Sequence, residues 1–331
     1  MSEWRHDPLS DRWVIIAPER ALRPDSARTE AGFAPLTDDP FAEGHEDATT
    51  SEVFAIRPPQ SRPNGPGWQV RSILNKYPAL RPELDADIDD DGWFRRTPGG
   101  GVHEVIVECP QPETHLSRLS AEHVRQVLIV YRSRLAALRR ESRWAYAIIF
   151  KNHGPGAGAT LAHAHSQLMA LPFVPAAVTA ELSAARRFRA ATGGAYFTAW
   201  MDRERAAQQR LVCESPEHLS LCPFASRFPY ELCLLPRQPG PHFDELCDAA
   251  LADLAGHLKE LLQRLEAAAN DPPYNLVLRT APFQEQDVDG FSWRLEILPR
   301  IGRIAGYEWG TGWHINLVPP EVAAQRLRDA R

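Results

Sequence analysis

Two histidines and a glutamine stand at alternate positions in the segment Ala162-His-Ala-His-Ser-Gln-Leu-Met-Ala-Leu. In an extended strand alternate side chains share a face, so His163, His165 and Gln167 are expected on one side and Ala162, Ala164, Ser166 and Leu168 on the other. Just upstream runs Asn152-His-Gly-Pro-Gly-Ala-Gly-Ala-Thr160. Its glycines Gly154, Gly156 and Gly158 allow close backbone approach, and the loop's N–H groups can hold phosphate oxygens. A glycine loop followed by a polar face with two imidazoles suits phosphoryl transfer. Imidazole is largely neutral near pH 7, and the cationic adduct it forms on phosphorus leaves readily in a second step. Alone, a His-x-His on a strand is as readily a metal site or a hydrogen-bonded structural pair, and a glycine loop can serve only a tight turn. The loop is no dinucleotide fingerprint, because no strand-to-helix crossover follows it. With Lys151, Asn152 and Gln167 beside the histidines, the pattern becomes specific.

The elements that must position these residues occur twice in one order. A strand-like His103–Cys109 leads through a turn ending in Thr114-His-Leu to a helix opened by Ser120 as N-cap. Val124, Val127, Leu128, Tyr131, Leu135 and Leu138 give that helix one apolar face. The strand Trp144–Phe150, the glycine loop and the histidine segment follow. The second copy reads Tyr230–Pro236, the turn Gly240-Pro-His-Phe, a helix with Leu246, Leu254, Leu258, Leu261 and Leu265, then Tyr274–Arg279 and Phe291–Pro299. The expected fold is α+β, a duplicated unit with a mainly antiparallel sheet and helices on one face, its halves at residues 1–175 and 176–331. Only the first half can do histidine chemistry, since the second carries Ser292 and Arg294 at the matching places. Residues 21–66 and 83–101, rich in Pro, Gly and acidic groups, read as surface loops.

Composition narrows the function further. A chain of 331 residues, 44% hydrophobic, can bury a substantial core. It has no apolar run of membrane-spanning length and opens on polar residues, so a cytoplasmic enzyme without a membrane partner is expected. Its 37 basic and 43 acidic side chains give −6, which disfavours nucleic acid and leaves a small anionic substrate in play. Five cysteines without a Cys-x-x-Cys pair imply reduced, mostly buried thiols rather than a disulfide framework or a cysteine zinc clip.

The run from Lys151 to Gln167 resembles the active-site segment of galactose-1-phosphate uridylyltransferases, a branch of the histidine-triad superfamily. The resemblance covers nearly the whole chain. Arg5-His-Asp-Pro-Leu-Ser-Asp-Arg-Trp is similar to the family's opening, and Asn75-Lys-Tyr-Pro to its next motif. The ending, Gly306-Tyr-Glu-Trp-Gly-Thr-Gly-Trp-His-Ile-Asn, is similar to the bacterial and plant subgroup that includes ADP-glucose phosphorylase. The resemblance implies that His165 takes up the nucleotidyl group, that Gln167 donates a hydrogen bond to the transferred phosphoryl group, and that His163 precedes them in the catalytic motif. It implies nucleotide contacts from Arg20, Arg23 and Asn75, phosphate contacts from Asn152, Gly158 and Thr160, and hexose-phosphate contacts from Tyr307 and Glu308. It also implies a homodimer acting on a nucleotide sugar and a sugar phosphate. Transfer to a hexose 1-phosphate is the first expectation. Adenylyl transfer to phosphate, nucleotide hydrolysis, or nucleotide binding without catalysis are the alternatives.

The chain departs from the family at its metals. Many members hold zinc through a Cys-x-x-Cys pair, a later histidine and the first histidine of the motif; here these positions read Asp39, Ala42, Pro112 and His163. The subgroup's second site falls near Ala195, Thr198, Ser292 and Arg294, leaving His242 without partners. Both zinc sites are expected to be lost, no cofactor is expected to be required, and His163 is not expected to ligate metal.

Overall fold

Two long antiparallel segments, one from each half, meet at the centre of the molecule, and the rest of the architecture follows from their pairing. The computed structural model describes residues 2–22, 39–285, 288–302 and 304–330. In chain order the strands are β1 (Glu3–Asp7), β2 (Arg12–Ile16), β3 (Glu52–Ile56), β4 (Val70–Leu74), β5 (Asp89–Asp90), β6 (Arg95–Arg96), β7 (Val102–Val107), β8 (Tyr146–His153), β9 (His165–Leu171), β10 (Leu211–Glu214), β11 (His218–Leu221), β12 (Leu232–Pro236), β13 (Tyr274–Arg279), β14 (Arg294–Pro299) and β15 (His314–Asn316). The helices are α1 (Ala121–Arg139), α2 (Ala176–Thr192), α3 (Tyr196–Ala207), α4 (Asp248–Ala269), α5 (Gly306–Thr311) and α6 (Pro320–Asp329).

Ten strands form one sheet in the order β10-β11-β12-β14-β13-β8-β9-β7-β4-β3, and every neighbouring pair is antiparallel. The order is a palindrome of the repeat: β7, β9 and β8 from the first half mirror β12, β14 and β13 from the second, with β8 and β13 joined at the seam. The helices α1 and α4 of the two copies lie over the same face of the sheet, where Val124, Leu128, Leu135, Leu254, Leu258 and Leu261 join Ile106, Ile149, Leu168, Leu276, Leu295 and Ile297 in one core. Each such side chain, fully removed from water, contributes about 1.5–3 kcal/mol before conformational entropy is set against it. Ser120 starts α1 as expected, its hydroxyl accepting from the His123 N–H at 3.1 Å.

Sequence periodicity did not reveal α2 and α3. They cover the opposite face of the second half, packing Leu182, Ala185, Phe197 and Met201 on Leu219, Leu221, Cys233 and Leu235. Residues 21–66 are also not a single loop, because β3 pairs with β4 at the sheet edge; its half-buried side chains show only weak alternation amid proline and acidic residues. Within 83–101 a short β5–β6 hairpin forms, with Arg95 and Arg96 paired to Asp90 and Asp89. A separate small sheet orders β1-β2-β15 and carries the N-terminus and the C-terminal motif together. All five cysteines are free thiols, of which Cys109, Cys222 and Cys233 are buried. No helix among the described residues is long and apolar enough to cross a membrane.

Candidate active site

β9 begins at His165, so the alternation that places His165 and Gln167 on one face holds from there. That face is turned away from α1 and α4: Ser166, Leu168 and Ala170 point to the helices, while the site face carries His165 and Gln167 beside Val105 and Val107 of β7. The His165 ring is buried and its Nδ1 lies 2.7 Å from the carbonyl oxygen of His163. A carbonyl only accepts, so Nδ1 carries the proton and Nε2 keeps its lone pair. Burial, ahead of the neighbouring Lys151 charge, pushes the His165 ring below the ordinary histidine range and so favours the neutral, nucleophilic form.

His163 does not continue the strand, which corrects the expectation of three side chains on one face. It sits in the bend before β9, with its ring turned into the interior. Nδ1 contacts the Asp39 carboxylate at 2.7 Å and Nε2 contacts the Cys109 carbonyl oxygen at 2.7 Å. Both nitrogens thus face protein oxygens in the interior. Its contact with the His165 ring is made by its backbone carbonyl, and Phe41 packs edge-on against both histidines.

Beneath β9 lies a buried ion pair, Lys151 Nζ to Glu108 Oε2 at 2.8 Å. Burial alone would raise the Glu108 carboxyl, but Lys151 and a hydrogen bond from Ser166 hold it below its ordinary range. Tyr131 of α1 donates to the same carboxylate at 3.2 Å. Lys151 also donates to the His165 carbonyl oxygen at 3.2 Å, so the pair anchors the backbone of His165 from the helix side.

On the open side, Gln167 Oε1 meets His103 Nε2 at 2.8 Å. His103 Nδ1 accepts from the Ala79 N–H at 3.2 Å, which leaves the proton on Nε2 to donate to Gln167. The Gln167 oxygen is thereby occupied and its NH2 group is the end free for a ligand. The Asn75 Nδ2 lies 3.2 Å from the same His103 nitrogen, so Asn75 stands beside this pair, while its oxygen accepts from the Tyr77 N–H at 2.9 Å. Sequence reading missed His103; its signal is a polar residue in phase with Val105 and Val107 on an otherwise apolar strand face.

The glycine loop is held from the second half. Asn275 of β13 stands opposite Asn152 in the seam and donates to Asn152 Oδ1 at 2.9 Å and to the Ala157 carbonyl oxygen at 2.8 Å. Asn152 therefore braces the loop through its oxygen, with its NH2 group 3.5 Å from the Gly158 carbonyl. Gly154 and Gly158 take φ of +79° and +89°, a region that side chains with a Cβ rarely occupy, and a Cβ on Gly154 would come within 3.0 Å of Pro273. Gly158 and Thr160 are exposed at the rim.

The remaining expected contacts lie apart. Arg20 sits exposed in a 3-10 turn over Pro18–Leu22 beside the small sheet, and Tyr307 and Glu308 lie in α5 against β15. The Glu308 carboxylate accepts from the Ala305 N–H at 3.0 Å, and no hydrogen bond or ion pair among the described residues links any of the three to His165. Arg23 lies outside the described residues.

At the positions that correspond to the family's metal ligands, the side chains present pair with other protein groups. At the first, His163 is taken by Asp39 and the Cys109 carbonyl; at the second, a guanidinium stands where a cation would be, Arg294 pairing with Glu181 at 2.8 Å and Glu296 at 2.9 Å. A cavity of about 720 Å³ opens above Arg294, lined also by Trp200, Arg210 and Phe224. His165 does not line it, and Cys233, its thiol there, is pushed above the ordinary thiol range by burial. The histidine site, with the His165 imidazole and the Gln167 amide on one face, is the better candidate for chemistry.

A family model described as galactose-1-phosphate uridyl transferase, N-terminal domain, matches residues 1–175. ADP-glucose phosphorylase of Arabidopsis thaliana is 34% identical, over 99% of this chain and 92% of its own length. Galactose-1-phosphate uridylyltransferase of Thermotoga maritima is 27% identical, over 99% of this chain and 98% of its own. Among solved structures, the Arabidopsis ADP-glucose phosphorylase with bound ADP-glucose superposes with a TM-score of 0.86 at 32% identity, covering 100% of this chain and 99% of that one. Two further structures, a uridylyltransferase and a uridylyltransferase mutant, each superpose at 0.77 with 26% identity, covering 99% of this chain and 98% and 97% of those chains.

Proposed function

From the premise that this chain belongs to the galactose-1-phosphate uridyl transferase family of nucleotidyltransferases, we propose that it moves a nucleoside monophosphate between a nucleotide sugar and a phosphate-bearing acceptor through His165. The observation that carries this reading is the His165 ring, buried, with Nδ1 tied to the His163 carbonyl and no hydrogen-bond partner on Nε2 among the described residues. Nε2 attacks the α-phosphorus; a P–N bond forms, the P–O bond to the sugar phosphate breaks, and that group departs with the electron pair. An acceptor phosphate oxygen then attacks the same phosphorus, and the P–N electrons return to the ring. Loop N–H groups and the Gln167 NH2 stabilise the phosphoryl oxygens, each donor being worth about 2.7–4 kcal/mol in comparable sites. No metal takes part in this scheme.

For the donor we favour ADP-glucose with inorganic phosphate as acceptor, supported by the 34% identity to an ADP-glucose phosphorylase against 27% to a uridylyltransferase. UDP-glucose with a hexose 1-phosphate is the second reading, supported by the family model itself. We further propose a cytoplasmic homodimer. Four tryptophans on and beside the small sheet stand exposed, Trp4 at 51%, Trp13 at 40%, Trp309 at 79% and Trp313 at 38%, and a second copy would cover them. Tyr307 and Glu308, on the helix that carries Trp309, would then complete a site across the interface.

Single-turnover incubation with α-phosphate-labelled ADP-glucose and UDP-glucose tests the reading. Acid-labile label is expected on the wild type and not on His165→Ala, discharged only when phosphate or hexose 1-phosphate is added. Discharge by water alone would make the protein a hydrolase, and no label from either donor would overturn the transfer reading.

A further inference from the structure

Three donor groups outside the proposed site converge where the two halves meet. His153 ends β8 between Asn152 and Gly154, His115 precedes the turn into α1, and Asp271 follows the end of α4. Asp271 Oδ2 lies 3.0 Å from His115 Nε2, Asp271 Oδ1 lies 3.8 Å from His153 Nε2, and the three ligand atoms all fall within 4.8 Å of one another. A tetrahedral ion with bonds of about 2.0–2.1 Å needs ligand atoms roughly 3.3 Å apart, so small side-chain movements suffice. The His153 ring is 8% exposed, and among the described residues no hydrogen-bond partner reaches either of its nitrogens. The ring, stacked on Tyr274 and turned toward a carboxylate and a second imidazole, keeps its nitrogens open to a ligand.

We propose that His115, His153 and Asp271 form a site for a divalent ion of the zinc class that ties the glycine loop to the end of α4. Two imidazoles and a carboxylate suit zinc or cobalt better than the oxygen-seeking magnesium or calcium. The Thr114 hydroxyl, 2.5 Å from His115 Nδ1, can accept from that nitrogen and leave Nε2 for the ion, the arrangement usual for metal-bound histidine. Half of the Asp271 side chain is open to solvent, which leaves a fourth position for water. Arg118, 3.5 Å from His115 Nε2 and 56% exposed, must swing outward when the ion enters; Glu113, 3.7 Å from His115 Nδ1, offsets the added positive charge. The site is a different one from the family's: His115 lies three residues beyond Pro112, and neither His153 nor Asp271 stands at a family ligand position. Its role is structural. The Glu113 carbonyl accepts the Ala164 N–H at 2.7 Å, so the ion would steady the approach to His165 as well as the loop.

The test is titration of the chelator-treated full chain with Co²⁺, read by visible absorption, with Zn²⁺ as competitor and calorimetry for stoichiometry. One equivalent is expected, with a tetrahedral spectrum free of thiolate charge-transfer bands, displaced by Zn²⁺ and lost in both Asp271→Asn and His115→Gln. Zn²⁺ should raise the melting temperature of the wild type and leave the two variants unmoved. Both substitutions keep a hydrogen bond between positions 115 and 271, and metal-free melting of the variants checks their folding. If a variant does not fold, His153→Asn replaces it. No binding by the wild type, or binding that survives in the folded variants, would overturn the proposal.

Discussion

His165 is useful because its two nitrogens have been made unlike. The His163 carbonyl fixes the proton on one, and burial keeps the other unprotonated. Because the ring sits below the ordinary value of 6.5, lowering the pH through 6.5 leaves it mostly neutral, and the acid limb of covalent labelling is expected below that pH; a midpoint at or above it, measured by single-turnover labelling against pH, would contradict the burial argument. Gln167 is oriented in the same way from outside. With its oxygen held by His103, Gln167→Ala is expected to lower the labelling rate by about 10²–10³-fold, as for loss of a comparable phosphoryl or oxyanion donor. His103→Phe, which frees the amide to rotate, should lower the rate less, about tenfold, with little change in donor affinity; rapid-quench rates against donor concentration separate the two effects. These partners were only partly legible. The His-x-His-x-Gln spacing put His165 and Gln167 on one face, but Asp39 is distant in sequence from His163, and nothing in the spacing says that a bend would turn that ring inward.

Among the elements, β8 bears the most. Its outward residues face the glycine loop and Asn275, and its inward Lys151 meets Glu108 of the β7–α1 connection under the helices. Lys151→Met would leave Glu108 buried without its cation, and about 3–5 kcal/mol of stability is expected to be lost in denaturant unfolding. The repeated strand, helix, strand, loop, strand order could be read directly because each helix keeps a 3.6-residue apolar period and each central strand is a dense apolar run. β3, β10 and β11 escaped because short strands near the sheet edges alternate weakly. α2 and α3 escaped because their apolar face is met by strands that also serve the other core. The Asn152–Asn275 pair became readable only once the seam gave the register.

For the whole molecule, two surfaces matter: the seam within the chain and the tryptophan patch outside it. The patch predicts a dimer, and light scattering coupled to gel filtration should give twice the chain mass; Trp309→Asp together with Trp4→Asp should give the monomer. The monomer is expected to form far less nucleotidyl-enzyme, because Tyr307 and Glu308 stand apart from His165 within one chain. The proposed dimer would bring the C-terminal motif of one protomer to the site of the other.

Because the β8–β13 seam lies within a single chain, dilution cannot part Asn275 from the loop it braces; a covalent tether keeps their effective concentration high, up to about the millimolar range. The tryptophan surface has no such tether. Specific activity that falls as the enzyme is diluted therefore reads the second association with the first held constant, and a series of progress curves at falling enzyme concentration measures that association without a variant.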